Sequence, residues 1–234
     1  MRVLITGGTG SVGAELVKRF SLDKKYKVTF TYHSNKIRAL ELADACNCQA
    51  ITIDEIEDNY DIIINCAGVV NSLAPIEDID VNKWEETMHV NLYFPFIVIK
   101  KNLPYMRSQK WGRIINIASI YGVCAEEDVA PYSVSKHGLI GLTKSVAKEY
   151  AKYGITCNAV CPATIVSEMC DRIAAFYTKT PKEREDYFRM LCEAVPAKRL
   201  VYPNEVAEFV YFLCGENAGY INGATLMIDG GYTA

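Results

Sequence analysis

The chain has 234 residues, half of them apolar, and a formal net charge of −3. That length points to one domain, residues 1–234, able to bury a large core without staples; the composition excludes a disordered chain and the charge leaves no footprint for nucleic acid. Nine cysteines are scattered without metal-ligand spacing, so reduced thiols in a cytoplasmic protein are expected, and no metal site. The sequence as read opens directly on a strand, so no charged-then-apolar leader is expected. The longest apolar run, Val90 to Ile99, is broken by Asn91 and Pro95 and is too short to span a bilayer, so no membrane partner is expected.

Arg2 to Thr6 reads as a short apolar strand. Gly7-Gly8-Thr9-Gly10-Ser11-Val12-Gly13 and an amphipathic helix, Ala14 to Leu22, follow. Glycines between strand and helix let the backbone turn tightly and approach a pyrophosphate seated on the helix N-terminus. No Lys-Ser/Thr pair closes the loop, so it is not a nucleoside-triphosphate loop. The alternative is a glycine turn without a ligand; the strand before and the helix after favour a dinucleotide. Tyr26 to Tyr32 is a second strand, followed by His33-Ser34-Asn35-Lys36-Ile37-Arg38. No Asp or Glu occurs from Lys24 to Leu40, the region where an NAD-specific fold places an acid on the adenosine ribose. Lys36 or Arg38, beside hydroxyl and amide donors, suits a 2′-phosphate, so NADP(H) is favoured over NAD(H). The competing reading is a solvated helix start.

A helix from Lys36 to Cys46 leads to a third strand, Ala50 to Ile53, ending at Asp54; Asp61 to Asn65 is a fourth, closed by Cys66-Ala67-Gly68. The stretch between them is too short for a full crossover helix, so an abbreviated connection is expected. Val81 to Arg107 reads as one long helix with Pro95 inside it. The missing proline N–H frees the Asn91 carbonyl, and the resulting kink serves packing or exposes that carbonyl to a water. Gly112 to Ala118 is a fifth strand ending at Ser119, where open parallel sheets bind ligands. After an acidic loop tip, Glu126-Glu127-Asp128, comes Tyr132-Ser133-Val134-Ser135-Lys136 and a helical pattern through Tyr153. Tyr132 and Lys136 share one helix face, so the ammonium should favour the phenolate and lower the tyrosine pKa, as a general acid for a carbonyl oxygen requires. Thr156 to Cys161 is a sixth strand. Cys170 to Ala194 is a charged segment with interleaved aromatics, read as part of a lid over about residues 168–195. Pro203 to Cys214 is a helix and Ala224 to Asp229 the last strand. This alternation defines an α/β fold, a three-layer, doubly wound parallel sheet of about seven strands.

Taken together, these motifs resemble the single-domain short-chain dehydrogenase/reductase family over nearly the whole chain. Asn65-Cys66-Ala67-Gly68 is similar to the family's Asn-Asn-Ala-Gly strand end. Asn91, Ser119, Tyr132 and Lys136 fall on its catalytic tetrad, and Pro162, Ile165, Ser167 and Met169 on the motif after the sixth strand. Pro203-Asn204-Glu205-Val206-Ala207 and Asn222-Gly223 to Asp229-Gly230-Gly231 are similar to its C-terminal signature. The sequence departs at Ser11, one place after Gly10, where the branch has its second motif glycine, and at Ala163, where the family usually has glycine.

The resemblance implies a Rossmann-type fold and hydride transfer between nicotinamide and a carbonyl or secondary alcohol. Tyr132 would be the general acid, Lys136 would hold the ribose, Ser119 would stabilise the oxygen and Asn91 would hold a water behind Lys136. It implies cofactor contacts from Gly7, Thr9, Gly10, Ser11, Val12, Gly13, His33, Ser34, Asn35, Asp54, Asn65, Ala67, Gly68, Tyr132, Lys136, Pro162, Ile165 and Ser167. The best-matching substrate class is the 3-oxoacyl-[acyl-carrier-protein] reductase-like one, with a small-molecule carbonyl or alcohol substrate carried as a thioester. A carrier protein is acidic, and Lys110, Arg113, Lys148 and Lys152 are candidates for a basic docking surface. A sugar or polyol dehydrogenase is the alternative, and a non-catalytic dinucleotide sensor the alternative of another class. A homotetramer or dimer is implied.

Overall fold

The computed structural model describes residues 1–234. Seven strands form one parallel sheet: β1 (Arg2–Ile5), β2 (Lys27–Thr31), β3 (Gln49–Ile51), β4 (Ile62–Asn65), β5 (Gly112–Ile117), β6 (Ile155–Pro162) and β7 (Thr225–Ile228). Their spatial order is β3-β2-β1-β4-β5-β6-β7, with every pairing parallel. Such strands are buried on both faces, which is why Ile62-Ile63-Ile64 in β4 reads as a continuous apolar run. The pleat still sorts them. Val3, Ile5, Ile62, Ile64, Ile115 and Ile117 face one layer of helices: α1 (Ser11–Ser21), α2 (Lys36–Cys46) and α8 (Pro203–Leu213). Leu4, Ile63 and Ile114 face the other, with α4 (Phe94–Gln109) and α5 (Ala130–Tyr150). The strand order reverses between β1 and β4, and the carboxyl ends of the strands there open a crevice.

The abbreviated crossover is present. Residues 52–61 join β3 to β4 with one 3₁₀ turn, Ile53–Glu55, capped reciprocally by Thr52 and Glu55. These strands lie three places apart, a span of about 15 Å that ten residues cover easily at roughly 3.3 Å each. Two side chains, Ile56 and Tyr60, enter the core in place of a helix face, and Tyr60 is almost completely buried. The Tyr60 N–H donates to Asn102 Oδ1 at 3.1 Å, and the Arg2 guanidinium lies 4.9 Å from the ring centre.

The expected single helix from Val81 is in fact two. The helix α3 (Val81–Met88) passes through a π turn, His89–Tyr93, into α4. Pro95 sits in the first turn of α4, where a missing N–H is tolerated, so the chain inserts an extra residue instead of kinking around the proline. Over the cleft, α6 (Glu168–Tyr177) and α7 (Pro181–Ala194) pair through a stacked Tyr177–Tyr187 contact and an Arg184–Asp171 ion pair at 2.5 Å. No helix is long and apolar enough to cross a membrane.

Candidate active site

The cleft at the strand carboxyl ends has a volume of about 760 Å³ and runs from the glycine loop past Ser119 and Tyr132 to α6 and α7. Its floor is the loop after β1. Gly7 has φ +69°, and a Cβ there would meet the Ala67 backbone at 2.8 Å; a Cβ on Gly13 would lie 2.1 Å from the Gly7 carbonyl oxygen. Both positions therefore demand glycine. Gly10 differs: its backbone is extended, and a Cβ there would meet only the Gly7 oxygen at 3.4 Å. Ser11 opens α1, so the loop closes without a glycine at that place. No side chain caps α1 and no acid occupies its first turn. Its N-terminal N–H groups and positive dipole end are thus free for an anion, which is what a dinucleotide pyrophosphate requires. The Thr6 hydroxyl accepts from the N–H groups of Cys66 and Ala67 at 3.0 and 3.1 Å, fastening the end of β4 beside the loop.

Most of the residues expected around a dinucleotide line this cleft: Gly7, Thr9, Gly10, Ser11, Val12, Gly13, His33, Ser34, Asn35, Ala67, Gly68, Tyr132, Lys136, Pro162, Ile165 and Ser167. Two do not. Asp54 stands exposed on the 3₁₀ turn, and Ile53 lines the cleft instead, because the short crossover turns the carboxylate outward. Asn65 is buried in the sheet, its amide donating to Asn116 Oδ1 at 2.8 Å, so it ties β4 to β5 and leaves the cleft wall to its successors. At the far end of the cleft Arg38 lines the wall and Lys36 does not. Arg38 pairs with Glu168 at 2.5 Å, a partner 130 residues away that local sequence pattern does not reveal.

Ser119 follows β5 and caps a 3₁₀ turn, its Oγ accepting from the Tyr121 N–H at 3.1 Å. Tyr132 and Lys136 stand one turn apart on α5, with Pro131 in its first turn. Burial pushes the Tyr132 phenol above its ordinary pKa, and hydrogen bonding to Ser119 only partly offsets this. The expected depression by Lys136 does not occur. The Lys136 ammonium donates to the Ile117 carbonyl at 2.8 Å and lies 5.5 Å from the Tyr132 ring centre. Burial brings Lys136 itself down to about 8. Asn91 lies in the π turn, fully buried. Its Oδ1 accepts from the Val69 N–H at 2.8 Å, and its amide donates to the Val69 carbonyl at 2.9 Å and to Ser135 Oγ at 3.1 Å. Ser135 in turn donates to the Tyr132 carbonyl at 2.7 Å. The π turn thus connects the cleft wall at Gly68–Val69 to the start of the tyrosine helix.

The opposite wall carries Val129, Tyr121, Met169, Ile173, Tyr177, Tyr187 and Leu191, with Glu126 and Glu127 at the edge. Lys110, Lys148 and Lys152 are elsewhere. They follow α4 or close α5 at the amino ends of the strands, across the molecule from the cleft, and Arg113 is buried against the carbonyls of Gly112 and Gly154. The basic docking surface expected from them does not face this site, because strand direction sends their ends of β5 and β6 away from it.

A phenol, a hydroxyl and an ammonium converging beside an anion-binding helix end can protonate and stabilise an oxygen on a substrate held against a dinucleotide. Residues 40–233 match a family model described as enoyl-(acyl carrier protein) reductase. The chain is 33% identical to an uncharacterized oxidoreductase, YxjF, of Bacillus subtilis (strain 168), over 99% of this chain and 97% of that one. It is 34% identical to the 3-oxoacyl-[acyl-carrier-protein] reductase FabG of Aquifex aeolicus, over 98% and 86%. The crystal structure of an actinorhodin polyketide ketoreductase variant with NADPH superposes with a TM-score of 0.91, at 29% identity over 99% and 96% of the two chains. The chain belongs to the short-chain dehydrogenase/reductase family. It is an oxidoreductase acting on alcohol and ketone groups, and its family binds a nicotinamide dinucleotide.

Proposed function

We propose that the chain is an NADP(H)-dependent reductase of a ketone, with 3-oxoacyl thioesters as the best-supported substrate class. The observation that carries this is the convergence of Tyr132, Ser119 and Lys136 on one point of the cleft wall beside the uncapped end of α1. The nicotinamide, when bound, supplies or accepts the hydride. Tyr132 gives its proton to the oxygen of the substrate carbonyl as charge develops there. A phenol held above its ordinary pKa is fully protonated at neutral pH, the state an acid in the reducing direction needs. Ser119 donates to the same oxygen. Lys136 we assign to the ribose hydroxyls and, with a pKa near 8, to returning a proton toward Tyr132. Asn91 holds the Gly68–Val69 wall in place and sits beside Lys136 at the proton's way in; a Cβ on Gly68 would lie 3.4 Å from Lys136 Nζ and 3.5 Å from Asn91 Oδ1. Asp54 and Asn65 have no part in this assignment, since neither reaches the cleft.

Arg38 at the adenosine end supports NADP(H), and the aromatic and aliphatic wall on α6 and α7 supports an acyl chain. These two helices act as a lid over residues 168–195, the whole chain being one domain. Glu126 and Glu127 favour a second reading, because carboxylates at the mouth accept hydrogen bonds from a sugar or polyol and oppose an acidic carrier protein. Offering acetoacetyl thioesters and keto-sugars with NADPH and then NADH, while following coenzyme absorbance, separates these readings. Oxidation of NADPH by the thioester alone is the expected result. Activity confined to keto-sugars would transfer the assignment to the second class, and tight coenzyme binding with no turnover on any ketone would favour a sensor. Nine free cysteines support a reducing, cytoplasmic location. The half-exposed apolar groove of Trp84, Met88, Leu92, Tyr93, Phe96 and Leu142 supports a homo-oligomer, dimer or tetramer. Sedimentation at micromolar concentration should show one; a monomer would contradict it.

A further inference from the structure

Arg38 is the guanidinium that lines the adenosine end of the cleft, and it is already occupied. Its Nη1 contacts Glu168 Oε1 at 2.5 Å, and both residues line the cleft wall. The two ends of this pair are well placed. Asn35 accepts the Arg38 N–H at 3.0 Å and so sets the start of α2, while the Ser167 hydroxyl accepts from Cys170 N–H at 3.1 Å and sets the start of α6, where Glu168 is the first residue. From α6 the Arg184–Asp171 ion pair and the Tyr177–Tyr187 stack continue into α7. A carboxylate therefore sits on the cation that a 2′-phosphate would use, and that carboxylate belongs to the helix pair covering the substrate end.

We propose that Glu168 is a specificity-determining residue for the coenzyme: it occupies Arg38 until a 2′-phosphate displaces it, and its displacement frees α6 and α7. The proposal rests on the dinucleotide reading above. A coenzyme lacking the phosphate leaves the pair intact; one carrying it takes the Arg38 fork with a more highly charged, multidentate acceptor. Both side chains are substantially exposed, 39% for Arg38 and 65% for Glu168, so the pair is weak enough to be exchanged. Its removal should change affinity by roughly two- to five-fold, the range of exposed ion pairs.

Adenosine 2′,5′-bisphosphate and AMP probe the site without turnover. Calorimetric titration of Glu168→Gln should show the bisphosphate bound roughly two- to five-fold tighter than by the wild type, with AMP unchanged. In an Arg38→Ala background the same change should give no gain. In the wild type, the bisphosphate but not AMP should speed tryptic cleavage at the exposed Lys179 between α6 and α7, and Glu168→Gln should be cut at the faster rate without ligand. Unchanged discrimination in Glu168→Gln, or an equal gain with Arg38 already removed, would overturn the exchange while leaving the dinucleotide site standing. Failure of the wild type to bind either nucleotide would overturn both.

Discussion

Lys136 is a buried ammonium that donates to the Ile117 carbonyl and has no carboxylate beside it. Burial lowers its pKa to about 8 from an ordinary value near 10.5, so the unfolded chain holds a proton that the folded chain loses between those values. In that interval the unfolded state binds more protons, and stability contributed by this group rises with pH. Below pH 8 both states are protonated and the full penalty is present. Urea unfolding of the coenzyme-free protein should show the wild type gaining about 1.5 kcal/mol relative to Lys136→Met between pH 8 and pH 9.5. A constant difference across that range would mean the ammonium is not desolvated as described. The Tyr132–Lys136 spacing in the sequence identifies the two groups that meet, but it misses the direction of the tyrosine shift. Proximity along a helix is local, whereas burial of the phenol depends on β5, β6 and the loop after Ser119 closing around it.

Among the elements, the β3–β4 connection shows how little is needed to replace a helix. Ile56 and Tyr60 complete the core on the α4 side of the sheet, so the tyrosine carries packing that a crossover helix would spread over several residues. Tyr60→Ala should cost about 3–5 kcal/mol in urea unfolding, because it leaves a large cavity beneath an otherwise thin connection. A loss below about 1 kcal/mol would show that the stretch does not seal the core. The shortness of this segment is legible in the sequence; which side chains seal it is not, since an irregular stretch has no periodicity to read. The π turn is a similar case. Pro95 marks an interruption in the Val81–Gln109 stretch, but a proline inside a helical pattern fits a kink and a restarted helix equally well. The hydrogen bonds of Asn91 to Val69 and Ser135, contacts with other parts of the fold, accompany the restart.

At the scale of the whole molecule, strand order places the glycine loop of β1, the end of β4 and the Ser119 end of β5 around one crevice. The alternation of strands and helices made this fold legible, along with most of the cleft, because each motif follows a strand and strand ends share an edge. What escaped depends on distant segments meeting. Glu168 reaches Arg38 across 130 residues, Asn65 turns into the sheet toward Asn116, and the basic residues of the α4 and α5 ends fall on the opposite edge. In the proposed reaction a protonated phenol on α5 completes proton transfer to a carbonyl held beside a dinucleotide. The direct measurement is reduction of a ketone substrate by Tyr132→Phe, with NADPH affinity determined in parallel. Turnover should fall on the order of 10²–10⁴-fold while affinity for NADPH stays within about two-fold of the wild type. Turnover unchanged in that variant would contradict the account.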